Sequence, residues 1–347
     1  MSELLAPYQT PPKLEILDHT QQPVSDLRVG KMEGAIKNTF LGKKLNPDLD
    51  QDRFYVRLQD EALTGKGQVS VKLSTVNASG QNKESNVEVK LKESPPGSGT
   101  FISDSLLLVS DRWDDKKRVD KVKDNHLGDR TFQVGLGDRV EVEYPSSNLC
   151  AIAQVPVQQQ LPIDIVVLRD KPGGNPVISN NKLQEEIKRT QERFAQLGIE
   201  IIPNIQVVDP PPKTKLSSGQ EINLGNGVQS PTEIQWLDNQ LGTPFDSQRL
   251  QVFYVSDFNL PTTMAGEKAD GIGLKEQGII VIDAKSDLPY ALAHEIGHTL
   301  DLGHATNKNV MVDKPSTSQG FGGDKRFTQT QEQQMYNYGT QHGRFSP

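Results

Sequence analysis

Polar and apolar positions alternate from Arg53 onward. Phe54, Val56 and Leu58 form the first such run, followed by Val69, Val71 and Leu73, then Val87, Val89 and Leu91. Phe132, Val134 and Leu136, and then Val140, Val142 and Tyr144, repeat the pattern. A period of two puts every second side chain on one face of a strand. Turn-forming residues separate the runs: Gly65-Lys66-Gly67, Ser79-Gly80 and Pro95-Pro96-Gly97. Short strands at this spacing predict an antiparallel β-sandwich over residues 29–155. Residues 1–28 carry Pro7, Pro11, Pro12 and Pro23 with little periodicity, and are expected to be an extended lead-in.

The pattern changes around residues 146–162, where Pro156, Gln158-Gln159-Gln160 and Pro162 mark a boundary. A second domain is expected over residues 156–347. Ile163 to Leu168 reads as a buried strand. Asn180 or Asn181 can cap a helix from Lys182 to Leu197, whose Leu183, Ile187, Phe194 and Leu197 share a face, with Gly198 closing it. Ile199 to Val208 completes a strand–helix–strand unit. Residues 209–248 read as a polar insertion, in which Ser230-Pro231 can start a short helix through Trp236 and Leu237. Leu250 to Val255 and Gly278 to Ile282 are two further strands, and the Gly-rich stretch Ala265 to Leu274 between them suits an exposed edge. Thr328 or Thr330 can cap a terminal helix containing the run Gln329 to Gln334.

Length and charge narrow the function. At ~150 residues per domain, 347 residues suit two domains. The net charge is −7, divided as −2 before Leu161 and −5 from there on. Neither part has the basic excess that attracts a phosphate backbone, which argues against nucleic acid as a partner. The one basic run, Lys116 to Lys123, is interleaved with acids and reads as a solvated turn. No apolar run approaches the ~18 residues of a membrane span. The first 30 residues hold no apolar signal-like core, leaving signal-independent export and a cytoplasmic location both open. Cys150 is the single cysteine, so no internal disulfide forms.

The chemistry is concentrated in His294-Glu295-Ile296-Gly297-His298-Thr299-Leu300-Asp301-Leu302-Gly303-His304. Ser286 can cap a helix with Pro289 in its first turn. His294 and His298, four apart, then leave one face a turn apart, as two Zn–N bonds of ~2.0–2.1 Å require. Glu295 is rotated by about 100° from His294 and can reach a water on the metal without binding the metal. Leu292, Ile296 and Leu300 anchor the opposite side. His304 lies six residues beyond His298, so the helix must break and turn back. A residue able to take positive φ is needed there, and Asp301 stands at that place, with Gly303 two residues later.

This stretch resembles the metzincin zinc metallopeptidases, whose pattern is HExxHxxGxxH followed by a methionine turn. Asn309-Val310-Met311 resembles that turn, and the departure is Asp301 in place of Gly. The resemblance runs from about Leu161 to about Tyr338, and includes a downstream helix start at Phe327-Thr328-Gln329-Thr330-Gln331. It implies an α+β chain with a metzincin-like catalytic domain built on a twisted mixed sheet with two or three main helices. It further implies one catalytic Zn2+ on His294, His298 and His304, Glu295 as general base, and Met311 as a hydrophobic floor. A peptide or protein substrate would lie along Gly271, Ile272, Gly273 and Leu274. Val312, Asp313, Lys314 and Pro315 would wall the pocket beyond the cleavage point. Tyr336 or Tyr338 is a candidate for oxyanion support, with a core or surface role the plainer alternative.

In the first domain, Leu91 to Phe101 resembles the "LxE…SGxF" hairpin of Ig-like repeats in large bacterial extracellular proteins. That implies an Ig-like sandwich able to meet a carrier or surface partner. Two other readings remain open at this point. One is a binding or adhesion module, or a delivered effector, on a degenerate protease fold. The other is a zinc hydrolase using Glu332 in place of His304. Cys150 is expected to be a small buried hydrophobe, the alternative being a thiol that blocks zinc, while His19, His126 and His342 are expected to be isolated.

Overall fold

The computed structural model describes residues 10–29, 53–110, 131–210, 221–223, 249–259, 271–275, 278–286, 290–304, 310–311, 327 and 329–346. The chain divides into two compact units, one of Met1–Val157 with Ala195–Gly198, the other of Gln158–Phe194 with Ile199–Pro347.

The first unit is built of β1 (Lys13–Leu17), β2 (Arg53–Gln59), β3 (Gln68–Val76), β4 (Asn82–Glu93), β5 (Thr100–Ser103), β6 (Leu106–Ser110), β7 (Thr131–Val134), β8 (Arg139–Tyr144) and β9 (Leu149–Gln154). Their order is β7-β6-β2-β5-β4-β3-β8-β9, with β1 also on β2. The alternating residues are the core: Phe54, Val56, Leu58, Val71, Leu73, Val89, Leu91, Phe132, Val134, Val140 and Val142 are all buried, and Val69, Val87 and Leu136 pack at its margin. The strands of this unit form one hydrogen-bonded set. The reason is β2, which pairs with β6 through Arg53 and Phe54 and with β5 through Arg57 to Gln59. Among the described strands of this unit, the pairings are antiparallel except that of β6 with β7. Part of the expected lead-in is also sheet. Lys13 to Leu17 pairs antiparallel with Tyr55 to Gln59, and Glu15 meets Arg57 at 2.7 Å. Leu14, Ile16 and Leu17 are buried, but a five-residue strand is too short to show its period among prolines.

The turns of this unit are tied together by one carboxylate. Glu93 accepts from the N–H groups of Gly65 at 2.9 Å, Gly99 at 2.9 Å and Gly67 at 3.2 Å. These backbone donors favour the charged form and hold its pKa down to about 2, against an ordinary 4.5. A carboxyl lowered in the folded state stabilises it above the unfolded pKa, and that stabilisation disappears as pH falls through the folded pKa. The first unit is therefore expected to lose stability between about pH 4.5 and about pH 2. Acid titration of chemical denaturation should show this slope flattened in Glu93→Gln. An unchanged slope would remove Glu93 from the acid response.

The second unit contains β10 (Gln159–Leu168), α1 (Asn180–Ala195), β11 (Ile199–Val208), β12 (Glu221–Asn223), β13 (Leu250–Val255), β14 (Asp257–Asn259), β15 (Gly271–Leu274), β16 (Ile279–Asp283), α2 (Ala291–Thr299) and α3 (Gln329–Gln341). Its five-stranded sheet is mixed, in the order β11-β10-β13-β16-β15. The first four strands run parallel, and β15 is an antiparallel edge. Strands covered on both faces read as continuous apolar runs, which is why Ile163 to Leu168, all of β13 and Ile279 to Ile282 carry so few polar residues. Asp164 among them is buried but bidentate with Arg249 at 2.7 and 2.8 Å and accepts from Asn204 at 2.9 Å. That pairing offsets the desolvation of its charge. The expected β10–α1–β11 unit is parallel, with α1 two residues earlier than its periodicity indicated. Ser179, ahead of Asn180, accepts from the Lys182 N–H at 3.3 Å at the start of α1. Gly198, at φ +71°, follows its end. Of the 209–248 insertion, Glu221–Asn223 forms a parallel pair with β14; the expected helix near Trp236 lies outside the described residues.

Candidate metal centre

Helix α2 carries two of the three histidines, and its start is held by a residue far away in sequence. Its N-cap, Tyr290, makes no side-chain capping bond. Ser286, the expected cap, is buried four residues upstream, where Lys182 Nζ donates to its carbonyl at 2.6 Å and to that of Ala284 at 3.0 Å. The capping acceptor is Glu186 of α1, 106 residues away, which takes the Leu292 N–H at 3.0 Å. A carboxylate at a helix N-terminus answers both an orphan donor and the helix dipole. Burial pushes the Glu186 carboxyl up, opposed by the Leu292 N–H. Burial and the neighbouring Glu186 raise the Tyr254 phenol well above its ordinary value. Arg193 Nη2 donates to the Tyr290 hydroxyl at 2.9 Å and its guanidinium lies 4.8 Å from that ring.

The end of α2 is a Schellman turn. Leu302 N–H reaches the Gly297 carbonyl at 2.9 Å, and Asp301 N–H reaches that of His298 at 3.1 Å. Asp301 sits at φ +76°, where a glycine is easier by about 1 kcal/mol. Its carboxylate is ion-paired with Lys275, whose hydrogen bond holds the Asp301 carboxyl below the usual range.

The turn brings His304 back to the helix face. His298 Nε2 lies 3.0 Å from His294 Nε2 and 3.0 Å from His304 Nε2. All three ligand atoms fall within 4.8 Å of one another. Tetrahedral zinc with bonds of ~2.0–2.1 Å sets its ligand atoms about 3.3 Å apart, so the spacing is that of a metal's ligands. The partners of the other ring nitrogens give the chemistry. His294 Nδ1 is 2.7 Å from the Val310 carbonyl, and His298 Nδ1 is 2.8 Å from the Leu302 carbonyl. A carbonyl only accepts, so each Nδ1 carries the hydrogen and, in the neutral ring, each Nε2 presents a lone pair. Lone pairs 3.0 Å apart repel unless a cation lies between them. The donor set therefore fits zinc.

Close packing surrounds the three rings. Met311 is fully buried, and a Cβ on Gly297 would fall 2.4 Å from its sulfur, so the thioether packs closely on the helix at this glycine. Strand β15 lies against α2 in the same manner. A Cβ on Gly271 would stand 2.8 Å from Glu295 Cγ and Oε1, and one on Gly273 would stand 2.8 Å from the Glu295 carbonyl and 3.0 Å from His298 Cβ. Glu295 itself is buried.

The remaining residues singled out in the sequence divide clearly. Asn309, Val312, Asp313, Lys314, Pro315 and His126 lie outside the described residues, as do the side chains of Ile272 and Leu274. Glu332 is buried on α3 but is not in the histidine cluster. The Tyr336 hydroxyl donates to Gln158 at 2.9 Å and that of Tyr338 to the Lys275 carbonyl at 3.5 Å. Cys150 is not a buried hydrophobe: it is exposed on β9, and partial desolvation together with Glu141 and Glu143 pushes its thiol pKa up. His342 is not isolated, since it stacks on Tyr338 with ring centroids 3.9 Å apart. Sequence reasoning missed Glu186, Lys275 and the two carbonyl acceptors, because each acts across a long separation or through its backbone.

No protein-family model and no curated protein matches the chain. Among solved structures it is similar to metalloproteinase-II from Bacteroides fragilis, at 14% identity and a TM-score of 0.34, covering 83% of each chain. It is also similar to archaemetzincin from Methanopyrus kandleri, at 18% identity and a TM-score of 0.35, covering 52% of this chain and 95% of that one. A chaperone–substrate complex matches at 12% identity and a TM-score of 0.31, covering 52% of this chain and 34% of that one. With TM-scores this low, the likenesses do not decide the function.

Proposed function

We propose that the chain is a zinc-dependent endopeptidase of the metzincin type. The observation that carries this reading is the convergence of His294, His298 and His304 through Nε2, with two of the rings oriented by carbonyls. Three neutral imidazoles leave a fourth position open, as catalytic rather than structural zinc sites do. A zinc ion held there would supply Lewis acidity and make water acidic near neutral pH.

The chain's own residues would do the rest. Glu295, adjacent to the first ligand, takes the proton of the attacking water and returns it to the leaving amine. Met311 floors the site against Gly297. The outer edge of β15 pairs with an extended peptide, so that backbone hydrogen bonds supply affinity. On this reading Val312 to Pro315 would wall the pocket past the scissile bond. The first unit would dock a carrier or a surface partner.

The test is paired on purified protein. Metal content is measured by mass spectrometry, and cleavage is followed on a quenched random-peptide library. About one zinc per chain is expected, with cleavage abolished by a chelator and restored by zinc. Zinc without cleavage of any library member would favour a binding module on a protease fold. Absence of stoichiometric metal would overturn the reading.

A further inference from the structure

We propose that the ion pair between Asp301 and Lys275 is a clamp that positions the edge strand β15 against the zinc helix, making both positioning residues for substrate. The proposal rests on the peptidase reading above. It begins with the alternation Gly271-Ile272-Gly273-Leu274-Lys275, which puts residues 271, 273 and 275 on one face. That face meets α2 at three successive points. Gly271 abuts the Glu295 side chain, Gly273 abuts the Glu295 carbonyl and His298 Cβ, and Lys275 pairs with Asp301. The first two points hold by close approach, and Gly273, which faces the Glu295 backbone carbonyl, needs glycine. The third, at the C-terminal end of the strand, holds by charge.

Asp301 thereby has a role that glycine could not fill. It accepts a left-handed backbone at φ +76° and in exchange presents a carboxylate to the strand. Helix α3 backs both partners. Gln334 Nε2 donates to the Asp301 carbonyl at 2.6 Å, and Lys275 Nζ stands 4.6 Å from the centre of the Tyr338 ring. These contacts limit the freedom that makes exposed ion pairs weak. Beyond β15 no further strand pairs among the described residues, so its position relative to the histidines depends on β16 and on this face.

The experiment uses the full chain with Asp301→Asn, which keeps tolerance of positive φ but removes the charge, and Lys275→Met, which keeps the stem. Lys275→Arg serves as the conservative variant. KM and kcat, zinc content, and amide hydrogen exchange of residues 271–275 against 291–299 are measured together. Both charge-removing variants are expected to raise KM about two- to fivefold with kcat and zinc unchanged. They should also speed exchange in the strand but not in the helix. Lys275→Arg should stay near wild type, and the double variant should be no worse than either single one. Unchanged strand exchange, or loss of zinc in step with activity, would overturn the clamp. A wild type that cleaves nothing would end the peptidase reading alone, because strand exchange still decides the clamp.

Discussion

Glu295→Gln is expected to lower peptide cleavage by about 10²–10⁴-fold, the usual reach of a positioned general base, while zinc content stays at the wild-type level. Glutamine has the same shape, so the contact with Gly271 is kept, and that contact is close: a Cβ on Gly271 would stand 2.8 Å from Glu295 Cγ. What is removed is the capacity to take and return a proton. Alanine would remove that too, but it would also empty the space against Gly271 and confound the result. Two of the three histidines are oriented by backbone carbonyls, His294 by that of Val310 and His298 by that of Leu302. Parallel metal analysis and cleavage kinetics check the separation. Cleavage within about tenfold of wild type would remove Glu295 from the proton transfer.

The second large effect is on metal affinity. His298→Ala is expected to weaken zinc binding by at least ~100-fold, read by competition with a chromophoric chelator. His298 is the middle ligand, 3.0 Å from both other Nε2 atoms, so its loss leaves two nitrogens that no longer share a neighbour. It also bonds the Leu302 carbonyl at 2.8 Å, and losing it frees the turn that delivers His304. Removing an outer ligand orienter typically costs 10–100-fold, so a direct ligand should exceed that. Glu332→Ala is the contrast, because Glu332 stands outside the cluster and should leave affinity unchanged. Zinc lost with Glu332→Ala and retained with His304→Ala would reverse the ligand assignment.

Much of the fold was legible for local reasons. A period of two marked the strands around Val71, Val89 and Val142 because each has one face in the core. Continuous apolar runs marked β10 and β16 because both faces are covered. Strand β1 was not legible, since Leu14, Ile16 and Leu17 are too few to set a period. Pairing was not legible either: that β2 meets β1, β5 and β6 depends on chain reversals that no local pattern records.

The candidate site divides along the same line. Helical periodicity alone puts His294 and His298 on one face with Glu295 beside it, and the six-residue interval to His304 demands a reversal at Asp301. Those are consequences of covalent spacing and of which residues tolerate positive φ. The sequence by itself thus determined which side chains share the helix face and where the chain must turn back. Only the tertiary structure decided how they are held. Glu186 caps α2 from 106 residues away, the Val310 and Leu302 carbonyls select the ring tautomers, and Lys275 takes up the charge of Asp301. Two of these are backbone acceptors, which every residue possesses, and the others are charged side chains whose partners lie on different elements. Their significance is set by distance in space, which sequence separation does not encode.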